Sequence, residues 1–162
     1  ARTTKGFMAM SEDLTARVIA FLDEHNVMSL ATSGNDGVHA ANLFYTRSHL
    51  TLFWVSDPGT RHSRDIEAHA RVAATVAAGA DDFRTIRGLQ IHGSARRIGD
   101  AARRIELLGL MAIRYPFLRR LENAPEALRI AFGKAQIYEL SPTDIVLIDN
   151  TKGFGHKETL RL

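Results

Sequence analysis

Cysteine is absent from the 162 residues. That excludes disulfides, thiolate metal sites and cysteine nucleophiles. It fits a reducing compartment, and a cytoplasmic protein is expected. No apolar run approaches the ~20 residues that a membrane span needs, so no membrane partner is expected. The chain opens without a basic-then-apolar secretory pattern; residues 1–10 are expected to be a disordered or non-native leader, with Met8 or Met10 as the native start. A GxGxxG fingerprint is missing, as is regular alternation of strands and helices, which argues against a doubly wound nucleotide fold. Serine, histidine and aspartate all occur, but no nucleophile elbow positions them. Of the seven histidines, His39, His49, His69 and His92 are scattered without metal-ligand spacing, so no metal site is expected. The net charge of +3 favours anionic partners. The basic residues are dispersed, with neither a helix-turn-helix signature nor an aromatic strip interleaved with cations, so nucleic acid is not an expected partner.

A chain of this length defaults to one domain, here residues 11–162. Ser11 can cap a helix in which Leu14, Val18, Phe21 and Leu22 form one apolar face. Strands are expected over Val27–Ser33 and Val38–Thr46, joined by the turn Gly34-Asn35-Asp36-Gly37. A third strand, Leu50–Val55, is apolar on both faces, which requires cover on both sides, in a closed barrel or at a subunit interface. Arg71–Ala78 and Thr85–Ile98 read as further strands. Gly88 and Gly93 inside the latter mark a bulge, a bend or a close backbone approach. Asp100 caps a helix over Ala101–Tyr115, stopped by Pro116. A second short helix over Pro125–Phe132, with Gly133 as C-cap, completes a helical insert near 100–133. Gln136–Leu140 and Asp144–Asp149 are read as two strands separated by a turn at Ser141-Pro142. A glycine-rich loop, Thr151–Lys157, precedes a last strand, Glu158–Leu162. About seven or eight mostly hairpin-linked strands with flanking helices predict a mainly β fold, an antiparallel barrel.

The chemistry-bearing stretch is Ser56-Asp57-Pro58-Gly59-Thr60-Arg61-His62-Ser63-Arg64. Asp57-Pro58-Gly59 is a turn signal, and a helix is expected from Thr60 or Arg61. Hydroxyls and cations at a helix start suit an anion: the first turn offers unpaired N–H groups, and arginine matches phosphate oxygens. A capped surface helix with solvated arginines is the plain alternative.

The run Leu52–Ala68, followed by Arg71–Val76 and Arg87–Ser94 in the same order, resembles the FMN-binding split-barrel family typified by pyridoxamine 5'-phosphate oxidase. The ending, Asp149–Lys157, resembles the family's bacterial YhbP-like branch. The resemblance implies a split barrel that forms a homodimer with FMN at the subunit interface. By matched position, Ser56, Arg61 and His62 would hold the FMN phosphate, and Thr60, between them, is expected among the cofactor-binding residues. Asn42, Leu43, Phe44, Tyr45 and Thr46 would run along the isoalloxazine and offer it main-chain groups. The family's usual lysine is His62 here. Gly88 stands where the oxidase has a glutamine, and Gln90, on the same side of the strand, is the nearest amide. The oxidase's basic residues on the second strand are replaced by Ala41 and Thr46, so its own substrate is not expected.

The leading expectation is an FMN-dependent oxidoreductase of a small molecule, in which the flavin carries the chemistry. The alternative is a non-catalytic flavin- or haem-binding module on the same barrel, with His62, His92 or His156 as haem ligands. Phe53 and Trp54 are expected in the core, with flavin stacking as the minority reading. Arg103, Arg104, Arg114, Arg119, Arg120 and Arg129 read as a solvated helical face or a second anion site. Lys152 and Lys157 sit in the glycine-rich loop, which is either a plain turn or a contact to cofactor or partner subunit.

Overall fold

In a computed structural model, residues 2–123, 125, 126, 130 and 133–162 are described. The elements in order are α1 (Arg2–Glu24), β1 (Val27–Gly34), β2 (Gly37–Phe44), β3 (Thr46–Ser48), β4 (Thr51–Ser56), α2 (Arg61–Ala68), β5 (Arg71–Ala77), β6 (Arg87–Arg97), α3 (Ala101–Arg114), β7 (Gln136–Asp149) and β8 (Lys157–Arg161). Short 3-10 turns lie at Phe83–Thr85, Pro116–Asn123 and Asn150–Lys152. The strands form one antiparallel sheet in the order β2-β1-β5-β6-β7-β4-β3, with β8 on β7. It curls into the expected split barrel. Helix α1 extends N-terminally of Ser11, since no proline or turn signal interrupts residues 2–11. The helix expected over Pro125–Phe132 falls largely outside the described residues, as does Arg129.

Two of the expected strands are divided differently. The stretch from Gln136 to Asp149 is one strand of 14 residues, not two. It pairs with β6 along its length, with β4 through residues 136–140 and with β8 through residues 144–148. Pro142 lies between the β4 and β8 partners, and opposite a register shift between His92 and Gly93 in β6. A bulge tolerates proline, because no ladder hydrogen bond is asked of its nitrogen. Gly93 is required there: a Cβ would run into the Ser141 carbonyl. Conversely, Val38–Thr46 is two strands. The chain breaks at Tyr45, because β2 and β3 stand at opposite ends of the strand order.

The main core gathers Leu14, Val18, Phe21 and Leu22 of α1 with the inward residues of the sheet, including Leu30, Leu52, Trp54, Ile91 and Leu140. A smaller cluster, Phe53, Ile98, Leu107 and Ile137, lies on the other side of β4 beneath α3. That is why β4 carries almost no polar face. Leu52 and Trp54 point into the barrel, and Phe53 is covered by α3, so the second cover comes from within the chain.

The corner at Tyr45 is held by a polar lock. Its phenol donates towards the Leu22 and His25 carbonyls (2.8 and 2.7 Å), the open end of α1. Arg114, from α3, reaches the same carbonyls at 2.9 and 2.5 Å and stacks over the Tyr45 ring. The Tyr115 hydroxyl donates to the Tyr45 carbonyl, and the Tyr45 N–H bonds the Asn26 carbonyl. A cation at a helix C-terminus also complements the dipole. The solvated-face reading therefore does not hold for Arg114, whose side chain is only 19% exposed.

At the far end, Glu158 of β8 accepts two bonds from Arg17 of α1 (2.6 and 2.7 Å) and is approached by Lys152 and His156. This clamp fastens the glycine-rich loop to α1. The Arg17 guanidinium, ahead of the other cations, pushes the Glu158 carboxyl down to about 2.

Arg114→Met removes charge-assisted bonds to partly buried carbonyls and is expected to lower unfolding free energy by about 2–3 kcal/mol. Urea denaturation with an unchanged m-value would measure it. Because the Glu158 pKa is depressed from its ordinary 4.5, its contribution is complete above that value and fades as pH falls towards about 2. Thermal unfolding of Glu158→Gln across that acid range should show a flatter pH dependence than the parent chain.

Candidate functional site

Strand β4 ends at Ser56, which shares the inward face of Leu52 and Trp54. The chain then turns at Asp57: the Gly59 N–H bonds the Asp57 carboxylate (2.6 Å), and the Thr60 N–H bonds the Asp57 carbonyl (3.1 Å). Helix α2 follows at once. Thr60 occupies its cap position but makes no side-chain cap. Its hydroxyl instead donates to the Asp57 carbonyl (2.8 Å) and lies 2.8 Å from the Ser63 hydroxyl. The Thr60 side chain therefore leaves the N–H groups of the first turn uncapped.

His62 gathers these hydroxyls. Its Nε2 is 2.6 Å from Ser56 Oγ and 3.1 Å from Thr60 Oγ1. The ring is only 6% exposed, and Ser63 is fully buried. Burial pushes the imidazole pKa below its ordinary value; His39 adds to this, and the Asp65 carboxylate opposes it. Burial thus favours the neutral imidazole. Asp65 accepts a bond from Thr32 of β1 (2.8 Å) and packs over Gly34, where a Cβ would collide with its carboxylate. That contact seats α2 on the β1–β2 turn.

The arginines do not join the cluster. Arg61 donates to the Asp36 and Gly37 carbonyls (2.8 and 3.3 Å), fastening the turn between β1 and β2. Its Nε is buried with no hydrogen-bond partner among the described residues, and lies 4.0 Å from Asp65. Arg64 donates to the Gly59 carbonyl.

Strand β2 leads away from this cluster. It pairs with β1 alone, so one of its edges keeps its main-chain groups free. At its far end Asn42, Leu43 and Phe44 line an apolar cavity of about 670 Å³ with Val55, Met111, Tyr115 and Phe117. Phe44 packs on Tyr115 and Phe117 at centroid separations of 5.3 and 5.8 Å. Arg104 stands in the same wall, its Nε buried and without a partner among the described residues.

Of the expected site residues, Ser56, Thr60 and His62 come together, and Asn42, Leu43 and Phe44 share the cavity. Tyr45 and Thr46 are buried, and both main-chain groups of Tyr45 are already engaged in the polar lock. Gln90 lies in the cross-strand row Asn42–Ser29–Thr75–Gln90. That is the same sheet face as Asn42, but three strands away, roughly 14 Å at the usual strand spacing. Lys157 opens β8 opposite Ile148, apart from the hydroxyl cluster.

Three features were not legible in the sequence. His39, on β2, lies parallel to His62 with centroids 6.4 Å apart. His92 pairs with Asp144 at 2.7 Å on the outward sheet face, which lowers the Asp144 pKa. The partnership of Arg114 with α1 joins residues about ninety positions apart. Only the β1–β2 register could have indicated the first, and only the bulge at Gly93 the second.

The profile of the pyridoxamine 5'-phosphate oxidase family matches residues 14–146. A UPF0306 protein of Klebsiella pneumoniae is 31% identical over 145 residues, covering 88% of this chain and 89% of the relative. The UPF0306 protein YhbP of Salmonella paratyphi A is 29% identical over 151 residues, 90% of this chain and 91% of the relative. A conserved hypothetical protein of Mycobacterium tuberculosis has the same fold, with a TM-score of 0.70, 18% identity and 85% of each chain covered. With a buried hydroxyl–imidazole cluster at the start of α2 and a split barrel around it, the chain belongs to the pyridoxamine 5'-phosphate oxidase family and is related to the UPF0306 proteins.

Proposed function

We propose that the chain is a cytoplasmic FMN-binding protein that works as a homodimer and catalyses two-electron redox chemistry on a small molecule. The observation that carries this reading is the continuity of two unlike sites along one strand. A buried group of hydroxyls and an imidazole lies beside the start of β2, and an apolar cavity lies at its end. From His39 to Asn42 the strand rises about 10 Å, a span that suits a phosphate at one end of a ligand and a flat aromatic ring at the other. Ser56, Thr60 and His62 would hold the phosphate, with the first turn of α2 adding N–H donors. The free edge of β2 at Asn42–Phe44 would offer main-chain groups to the ring, and Arg104, whose Nε lacks a partner, a donor.

When bound, the flavin supplies the redox chemistry; the residues here bind, orient and exclude water. Tyr115, Phe117 and Met111 form an apolar wall that would shield one side of the ring. The homodimer is supported by the outward sheet face, where Ala40, Ala31 and Ala73 lie side by side across β2, β1 and β5. Small side chains allow close approach of a second sheet. A second copy would also be the source of Gln90 and Lys157, which do not reach the cluster within one chain.

The test is the visible spectrum of the full chain after incubation with excess FMN and desalting. Flavin bands, with FMN released on denaturation, are expected; a colourless protein would overturn the reading. A Soret band after the same treatment with haem would assign the barrel to haem instead, and a retained flavin inert to NADH and NADPH would make the chain a carrier. Arg61→Ala removes the bonds to the Asp36 and Gly37 carbonyls and so frees the β1–β2 turn that leads into β2. It is expected to weaken FMN binding about tenfold, equivalent to ~1.4 kcal/mol, measured by quenching of flavin fluorescence.

A further inference from the structure

His39 has no part in the residues matched to the family, yet its ring lies 6.4 Å from the buried imidazole of His62, across from helix α2. It comes from β2, where it pairs with Thr32 of β1, the same residue that bonds Asp65 of α2. Its ring is parallel to that of His62, with an interplanar angle of 1°. His39 is half-buried where His62 is buried, so the pair runs from the hydroxyl cluster outwards.

We propose that His39 and His62 form a proton-coupled anion cradle, in which binding of a phosphate monoester places one proton on the imidazole pair and His39 serves as a ligand of the anion. The proposal rests on the anion-site reading above.

A proton on the pair would add positive charge at the hydroxyl cluster itself. The neighbouring guanidiniums keep their charge but donate away from it, Arg61 to the Asp36 and Gly37 carbonyls and Arg64 to the Gly59 carbonyl. Around the pair, α2 contributes Asp65, Arg61 and Arg64, and the preceding turn contributes Asp57. β1 contributes the uncharged Thr32. Asp65 favours the protonated state, while burial and the second imidazole oppose it. An anion beside the rings and the start of α2 would join Asp65 in favouring the protonated state.

The hydroxyls explain how a single proton changes the site. With a neutral ring protonated on Nδ1, Nε2 can accept the Ser56 hydroxyl hydrogen, while the Thr60 hydrogen goes to the Asp57 carbonyl. Once protonated, the same nitrogen donates, and the Ser56 hydrogen is free to turn towards the anion. One proton therefore converts Nε2 from an acceptor to a donor and releases Ser56 as an anion donor. A lysine in place of His62 would carry its charge permanently and bring no such coupling.

Inorganic sulfate is the probe, because it stays dianionic between pH 6 and pH 8 and needs no flavin. Binding to the full chain is followed by calorimetry in two buffers of different ionisation enthalpy. The expected result is uptake of about one proton per sulfate near neutral pH and an affinity that falls by up to about tenfold per pH unit. His39→Gln, on a half-buried strand position, should keep the fold by circular dichroism and weaken sulfate binding about threefold to tenfold. His62→Lys should bind sulfate with no pH dependence over that range. Sulfate binding that is independent of pH in the parent chain overturns the proton coupling while leaving the anion site standing. Unchanged affinity in a folded His39→Gln overturns the role of His39. No sulfate binding at any pH removes the anion-site reading, and the proposal with it.

Discussion

The barrel depends on the corner at Tyr45. There the chain leaves one edge of the sheet as β2 and re-enters at the opposite edge as β3. A corner of this kind exposes main-chain groups that neither strand can pair. Three side chains from two distant parts of the chain meet that demand. Tyr45 and Arg114 close the carbonyl end of α1, and Tyr115 bonds the Tyr45 carbonyl. Burial pushes the Tyr45 phenol up, so it remains a donor throughout the physiological range. The same lock fixes the cavity, since Tyr115 and Phe44 stand on either side of the corner.

Much of this was legible from local pattern. The apolar face of α1, the β1–β2 turn, the doubly apolar β4 and the Asp100 cap all follow from periodicity and turn chemistry, and each occurs near its expected place. Asp100 does accept the Arg103 N–H at 2.7 Å. What failed was whatever depended on a partner strand. Ser141-Pro142 reads as a turn because proline denies a ladder bond; only the bulge opposite Gly93, and the gap between β4 and β8, make a straight passage acceptable. Tyr45 reads as a strand residue, because alternation says nothing about which edge the next strand will join.

The site divides in the same way. Ser56, Thr60 and His62 are close in sequence; Thr60 and His62 were expected from the turn and helix start, and Ser56 from the family resemblance. Arg61 was also expected there, but the β1–β2 turn offers it two carbonyls, and a guanidinium with near acceptors follows geometry rather than a distant ligand. His39 and Arg104 come from other elements. Their approach depends on register and on how α3 lies over β4, neither of which leaves a mark on the local sequence.

Strand β7 ties the two halves of the molecule together, but not evenly. Its first half belongs to the barrel wall with β4, its second half to β8 and the clamp on α1, and the boundary is the irregular step at Pro142. Cooperative opening units often coincide with supersecondary pieces of a fold. With this step between its two halves, the sheet is expected to exchange its amides in two blocks. The slow block would hold the β4 half, anchored from both faces by the main core and α3. The faster block would hold β8 with the glycine-rich loop, so that this end of the molecule could loosen while the cavity and the hydroxyl cluster stay intact.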